Sequence, residues 1–133
     1  MLTIEETFRR LAEANSKMGI KTIIITDRGT MDPAAYMERE KWLEMLTEMK
    51  LEEPNLRDNR YDVVVHMTTA ALGAESFYTT SNNNVRSEGV ALARDLDKKI
   101  LEVWNGHAYL DVVGNETGWN GKLNRVVQCV LSR

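Results

Sequence analysis

Apolar residues along this chain alternate between two rhythms. Ile4, Phe8, Leu11 and Ala12 fall on one side of a helix. Thr3 and Glu6 stand at capping-box spacing before them, and Gly19 is a plausible stop. Residues 21–26, Lys-Thr-Ile-Ile-Ile-Thr, are short, β-branched and lack alternation, the pattern of a strand covered on both faces. Asp32-Pro33 marks a helix start, and that helix is expected to run to about Lys50. Residues 51–60 are polar and hold Pro54, so they read as a loop. Residues 61–67 repeat the buried-strand pattern, and Ala70 to Ser76 suggest a short helix. Ser81 to Asn84 read as a turn or helix entry, after which a long helix is expected to reach about Asn105. Leu92, Leu96, Ile100 and Trp104 step by four along it and Gly106 closes it. Residues 109–113 are a third short strand. Leu123, Val126, Val127, Val130 and Leu131 mark the core face of a last helix.

Strands that alternate with helices predict an α/β fold with a parallel sheet and right-handed crossovers. No internal repeat, low-complexity tract or linker divides the chain, so one domain over residues 1–133 is expected. A chain of 133 residues is long enough to bury a real core. The net charge of −3 gives no basic excess to neutralise phosphates, which argues against a broad grip on nucleic acid. The single cysteine, Cys129, forbids an internal disulfide and suits a reducing compartment. No apolar run approaches a membrane span and the start is unlike a secretory signal, so a cytoplasmic location is expected. Asn115-Glu116-Thr117 matches a glycosylation sequon and is read as chance.

Ligands on open parallel sheets bind outside the carboxyl ends of the strands. Asp27, Arg28 and Gly29 follow the first strand. An acid there can hold a Mg²⁺-bound water or accept a proton, and an arginine beside it can grip a phosphate through two donors. Equally, Asp27 can cap a turn while Arg28 is a solvated charge. His66, Met67, Thr68 and Thr69 follow the second strand, then Gly73, Ala74 and Glu75, whose small neighbours let backbone amides approach a ligand. His66 reads as a packed strand histidine. With only two histidines and one cysteine a zinc site has little support, and no Gly-x-Ser-x-Gly elbow is present. Arg86 and Arg94, near the start of the long helix, can close over phosphates as a lid or lie solvated on its surface. Lys122 and Arg125 read as surface charges.

Together, Asp27-Arg28-Gly29-x-x-Asp32-x-x-Ala35-Tyr36, then Tyr61 through Met67, then Gly73-Ala74-Glu75-x-Phe77-Tyr78-Thr79 resemble the AAA-type, NadR-like kinase domain of the TRPL translocation defect proteins. Asn83-Asn84-Val85-Arg86 through Ala93 and Asp97, Trp104-x-x-His107 and Lys122-Leu123-x-Arg125 continue the match from about residue 20 onward. The resemblance implies a three-layer P-loop-kinase-like sheet that handles GTP or ATP with Mg²⁺ and is associated with guanine nucleotides. It further implies phosphoinositide association and membrane-protein trafficking partners through a parent protein with a further C-terminal domain. By position, Asp27 looks like the metal-facing acid of the Asp-Arg motif, Arg28 like its substrate or phosphate arginine, and Arg86 like a lid arginine. Arg94 joins them as a candidate for the nucleotide or its phosphates. Gly114 stands where the family tends to have an acid before Asn115.

No Gly-x-x-x-x-Gly-Lys-Ser/Thr loop occurs in the sequence. In a kinase-type sheet the strand before that loop is central, so the sheet is expected to be incomplete, and the chain to be an N-terminally truncated form less stable than its parent. Three functions compete: a GTP-binding regulatory module weakened by that loss, a phosphotransferase acting on a nucleoside or nicotinamide riboside, and a non-catalytic interaction domain.

Overall fold

A computed structural model describes residues 1–78 and 89–133 and divides into two compact units, Met1–Thr30 and Met31–Arg133. The predicted turn at Ser81 to Asn84 and the candidate Arg86 lie outside the described residues.

In the first unit, helix α1 spans Leu2–Lys17. It starts one residue before Thr3, with Met1 as its cap and no side-chain cap bond, so the expected capping box does not form. Thr3 lies inside the first turn, and its carbonyl accepts from the Thr7 hydroxyl. Gly19 stops the helix as expected: its φ of +75° lets the amides of Gly19 and Ile20 turn back onto the Ser16 and Asn15 carbonyls. Ile4, Phe8 and Leu11 keep their common face, and all three are exposed. The expected strand at residues 21–26 is not formed. Those residues have no regular secondary structure, and Ile23 and Ile25 are 67% and 84% exposed. A strand exists only as a member of a ladder, and the one ladder among the described residues joins two other segments.

The second unit opens with a 3-10 turn, Asp32–Tyr36, where a long helix was expected. Asp32-Pro33 does start it, but the backbone extends at Met37 and Glu38, and α2 covers only Arg39–Met49. The break has a packing cause. Met31 and Asp32 are buried, and the Trp104 Nε1–H donates to Asp32 Oδ1 at 2.6 Å, pinning the turn. Two extended residues then allow α2 to sink Trp42 and Leu46 into the core. Pro54 begins a short helix, α3 (Glu53–Arg57), because proline's missing N–H costs nothing in a first turn. The expected loop at residues 51–60 therefore contains one helical turn that buries Leu56.

Two of the three expected strands are present. β1 (Val64–Met67) and β2 (Leu110–Val113) pair in parallel with Val64 opposite Leu110 and Met67 opposite Val113. Helix α4 (Val90–Trp104) links them and packs on the 3-10 turn. Burial rises along its predicted stripe, from exposed Leu92 through half-buried Leu96 and Ile100 to buried Trp104. Gly106 closes it at φ +103°, as expected. Tyr61 and His107 meet Trp104 edge-on at 5.4 and 6.4 Å. A short helix expected over residues 70–76 is a turn followed by a 3-10 segment, Glu75–Phe77.

Helix α5 (Gly118–Leu131) packs on β2. Its inward face is not the predicted one. Val126 and Val130 are half-buried as expected, but Leu123, Val127 and Leu131 are exposed, and Lys122 is buried in their place. The helix is rotated so that Lys122 reaches the ends of the strands.

Candidate functional site

At the carboxyl ends of β1 and β2 the chain turns into a loop, residues 68–75, that is tied down from three sides. Thr68 leaves the ladder by donating its amide to Val113 O at 3.0 Å. From α4, the Asp97 carboxylate accepts the Thr69 amide at 2.7 Å through Oδ1 and faces His66 Nε2 at 3.3 Å through Oδ2. From the segment after β2, the Asn115 amide nitrogen donates to the Thr69 and Leu72 carbonyls at 2.9 and 2.6 Å. From α5, Lys122 Nζ donates to Thr68 O at 2.6 Å and to Asn115 Oδ1 at 2.7 Å.

Lys122 was expected on the surface and is instead 6% exposed. Burial pushes its ammonium below the usual lysine range, while the Asp97 and Glu116 charges pull it back up. The sequence carried one sign of this: Lys122 lies four residues before Val126 and eight before Val130, inside the apolar stripe rather than opposite it. Asp97 and Asn115 entered the sequence reading only through the resemblance and the sequon, with no role assigned to either side chain. The Asn115 side chain is half-buried and committed on both its nitrogen and its oxygen, so in this conformation the sequon asparagine is already engaged within the fold. Arg125 is a surface charge as expected, reaching Glu116 at 3.2 Å.

His66 is a packed strand histidine, as expected. His107 is buried too. Its Nδ1 accepts from the Tyr109 amide at 3.1 Å and its Nε2 lies 2.9 Å from the Tyr61 carbonyl, a pairing that requires the proton on Nε2.

Small residues at 73–74 were expected to leave amides open to a ligand. In this conformation the amides are taken internally: Thr69 by Asp97, Leu72 by Thr69 O, Gly73 by Glu75 and Ala74 by Ala70 O. Arg94 joins the same loop from α4. Its Nε donates to Ala71 O at 2.6 Å and its Nη2 to Glu75 Oε1 at 2.7 Å. The Glu75 carboxyl is held below its usual range first by the Gly73 amide, then by its own amide, then by Arg94.

Asp27 and Arg28 belong to the first unit, where both are exposed in a bend, and Arg28 adopts φ 76°, the left-handed region that a side chain disfavours. Arg94 belongs to the second unit. Among the described residues no cluster of three or more His, Cys, Asp or Glu side chains could hold a metal, and no helix is long and apolar enough to cross a membrane. A groove of about 560 Å³, lined in part by Tyr36, Met37, Arg39, Lys41, Lys99 and Glu102, lies within the second unit.

A parallel strand pair, with polar side chains gathered at the strands' carboxyl ends and helices around it, defines a mixed α/β protein. Residues 2–121 match the AAA domain family, and the chain belongs to it. That family is P-loop NTPase-like and suggests a nucleotide-binding domain. No match was found among curated proteins or solved structures.

Proposed function

We propose that the protein is a nucleotide-binding regulatory domain of the TRPL translocation defect, NadR-like type, with GTP and Mg²⁺ as its ligands. The observation that carries this reading is the AAA domain match over residues 2–121. The strand-end loop supports the location, since it places Arg94 at the carboxyl edge of the parallel pair. In this reading Asp27 faces the metal, Arg28 and Arg94 face phosphates, and Arg86 acts as a lid arginine. The left-handed backbone at Arg28 is the kind of strained position found at ligand clamps and supports its role. The same reading adds phosphoinositide and membrane-protein trafficking partners. The absence of a Gly-x-x-x-x-Gly-Lys-Ser/Thr motif from the sequence favours weak binding, because that motif supplies the amide cradle, the lysine and the Mg²⁺ hydroxyl.

Titration of fluorescent GTP and ATP in the presence of Mg²⁺ tests the proposal. Saturable binding, weakened at least tenfold (about 1.4 kcal/mol) by Asp27→Ala, is the expected result. Absence of binding by either nucleotide would leave the non-catalytic interaction domain standing. Phosphate transfer to a nucleoside or nicotinamide riboside, lost in Asp27→Ala, would instead establish the phosphotransferase.

A further inference from the structure

Around Glu75 the donors are fixed and the acceptor is loose. Its carboxylate receives the Gly73 amide at 3.0 Å, its own backbone amide, and the Arg94 guanidinium at 2.7 Å. Two converging backbone amides and an arginine are the donor set that proteins use to hold phosphate oxygens. Arg94 is not free to leave: its Nε is anchored on Ala71 O at 2.6 Å. The loop carrying the two amides is braced from behind by Asp97, Asn115 and Lys122. Among the described residues the Glu75 head is held by the two amides and Arg94 alone. Its side chain is 48% exposed and that of Arg94 44%, so rotation into water is open to it. A Cβ built at Gly73 would meet nothing within 4 Å, so there is open space beside this residue, and its amide already points at the Glu75 carboxylate.

We propose that the amides of Gly73 and Glu75 together with Arg94 form a phosphate-binding site in which the Glu75 carboxylate stands in for the ligand and swings out to admit it. The site's geometry is independent of the function proposed above, but the natural ligand, the phosphate group of a nucleotide, rests on that reading. A phosphate is the better guest because it brings about two charges and three strong acceptor oxygens to a site where Glu75 offers one charge. The tethered carboxylate competes at high effective concentration and keeps the site closed to weakly bound anions.

Inorganic pyrophosphate and, separately, GTP are titrated into the ¹⁵N-labelled native chain and its Glu75→Gln and Glu75→Ala variants, following backbone amide shifts. Expected in the native chain are saturating shifts at Gly73 and Glu75 with pyrophosphate. Both variants are expected to bind it roughly tenfold tighter, and Arg94→Gln to abolish the shifts. The inference is overturned if Gly73 and Glu75 do not move in the native chain, or if neither Glu75 variant tightens binding. Should a variant disturb the loop, the native titration decides alone. Pyrophosphate shifts at Gly73 without any nucleotide binding would uphold this site and remove the nucleotide reading. GTP binding that leaves Gly73, Glu75 and the Glu75 variants unaffected would do the reverse.

Discussion

Lys122 carries an ammonium into a place with 6% exposure, where two acceptors offset the cost of its burial. Thr68 O and Asn115 Oδ1 both lie within 2.7 Å of Nζ. Lys122→Met keeps the length and apolar stem but strands both oxygens. Each stranded buried acceptor costs about 1–3 kcal/mol, so a loss of at least about 2 kcal/mol is expected, with m unchanged, in urea unfolding. A loss under 0.5 kcal/mol, on the order of an ordinary surface change, would show that water replaces the ammonium. Gly106 poses a different residue-scale constraint. It sits at φ +103°, and a Cβ there would come within 3.2 Å of the Arg57 guanidinium, whose Nη1 donates to Asn105 O. Gly106→Ala is therefore expected to lower stability by about 1–2 kcal/mol through backbone strain, read from the same unfolding curves. A neutral result would mean that the turn relaxes to negative φ.

At the scale of elements, stop signals and strands were the most legible features. Gly19 and Gly106 end helices where expected, and the two paired strands fall inside residues 61–67 and 109–113. The stops have a local cause, since a left-handed turn needs glycine; a β-branched run alone does not make a strand, for residues 21–26 carry one and lie outside the ladder. What the sequence did not show was set by partners far along the chain. The break between the 3-10 turn and α2 depends on Trp104, seventy-two residues beyond Asp32. The rotation of α5 brings Lys122 to the Thr68 carbonyl after β1 and to Asn115 Oδ1, fifty-four and seven residues away in the chain. The end of α2 still carries a locally fixable defect. Lys50 occupies its left-handed cap at φ 53°, with its amide bonded to Thr47 O and that of Leu51 to Leu46 O. This is a position for glycine. Lys50→Gly is expected to stabilise the chain by roughly 0.5–1 kcal/mol, raising the thermal midpoint; a lower midpoint would show that the Lys50 stem contributes packing.

Across the whole molecule, the resolved carboxyl shifts point one way. Glu53 is held below its usual range first by Arg39, at 2.5–2.6 Å, and also by Trp42 Nε1–H at 3.1 Å. Asp58 is lowered by Arg57, and Glu75 by the Gly73 amide, its own amide and Arg94. In α1, Glu6 is pulled down to about 2 by Arg9 and then Arg10. A carboxyl depressed in the folded state binds fewer protons than in the unfolded chain. Its contribution is thus fully present above the ordinary values of 4.5 for glutamate and 3.8 for aspartate, and is lost as pH falls below them. The contribution of these carboxyls is expected to be constant from neutrality down to about pH 5 and to fall steeply below it, with helical signal lost in the same window. Most of these pairs are solvent-facing, so 1 M salt should weaken them at neutral pH and make the acid decline shallower. Glu53 is the exception, with its side chain only 23% exposed and bonded to both Arg39 and Trp42. Glu53→Gln should therefore lower stability at pH 7 more than at pH 3, in either salt. Equal losses at both pH values would place the contribution of Glu53 in its shape and hydrogen bonds rather than in its charge.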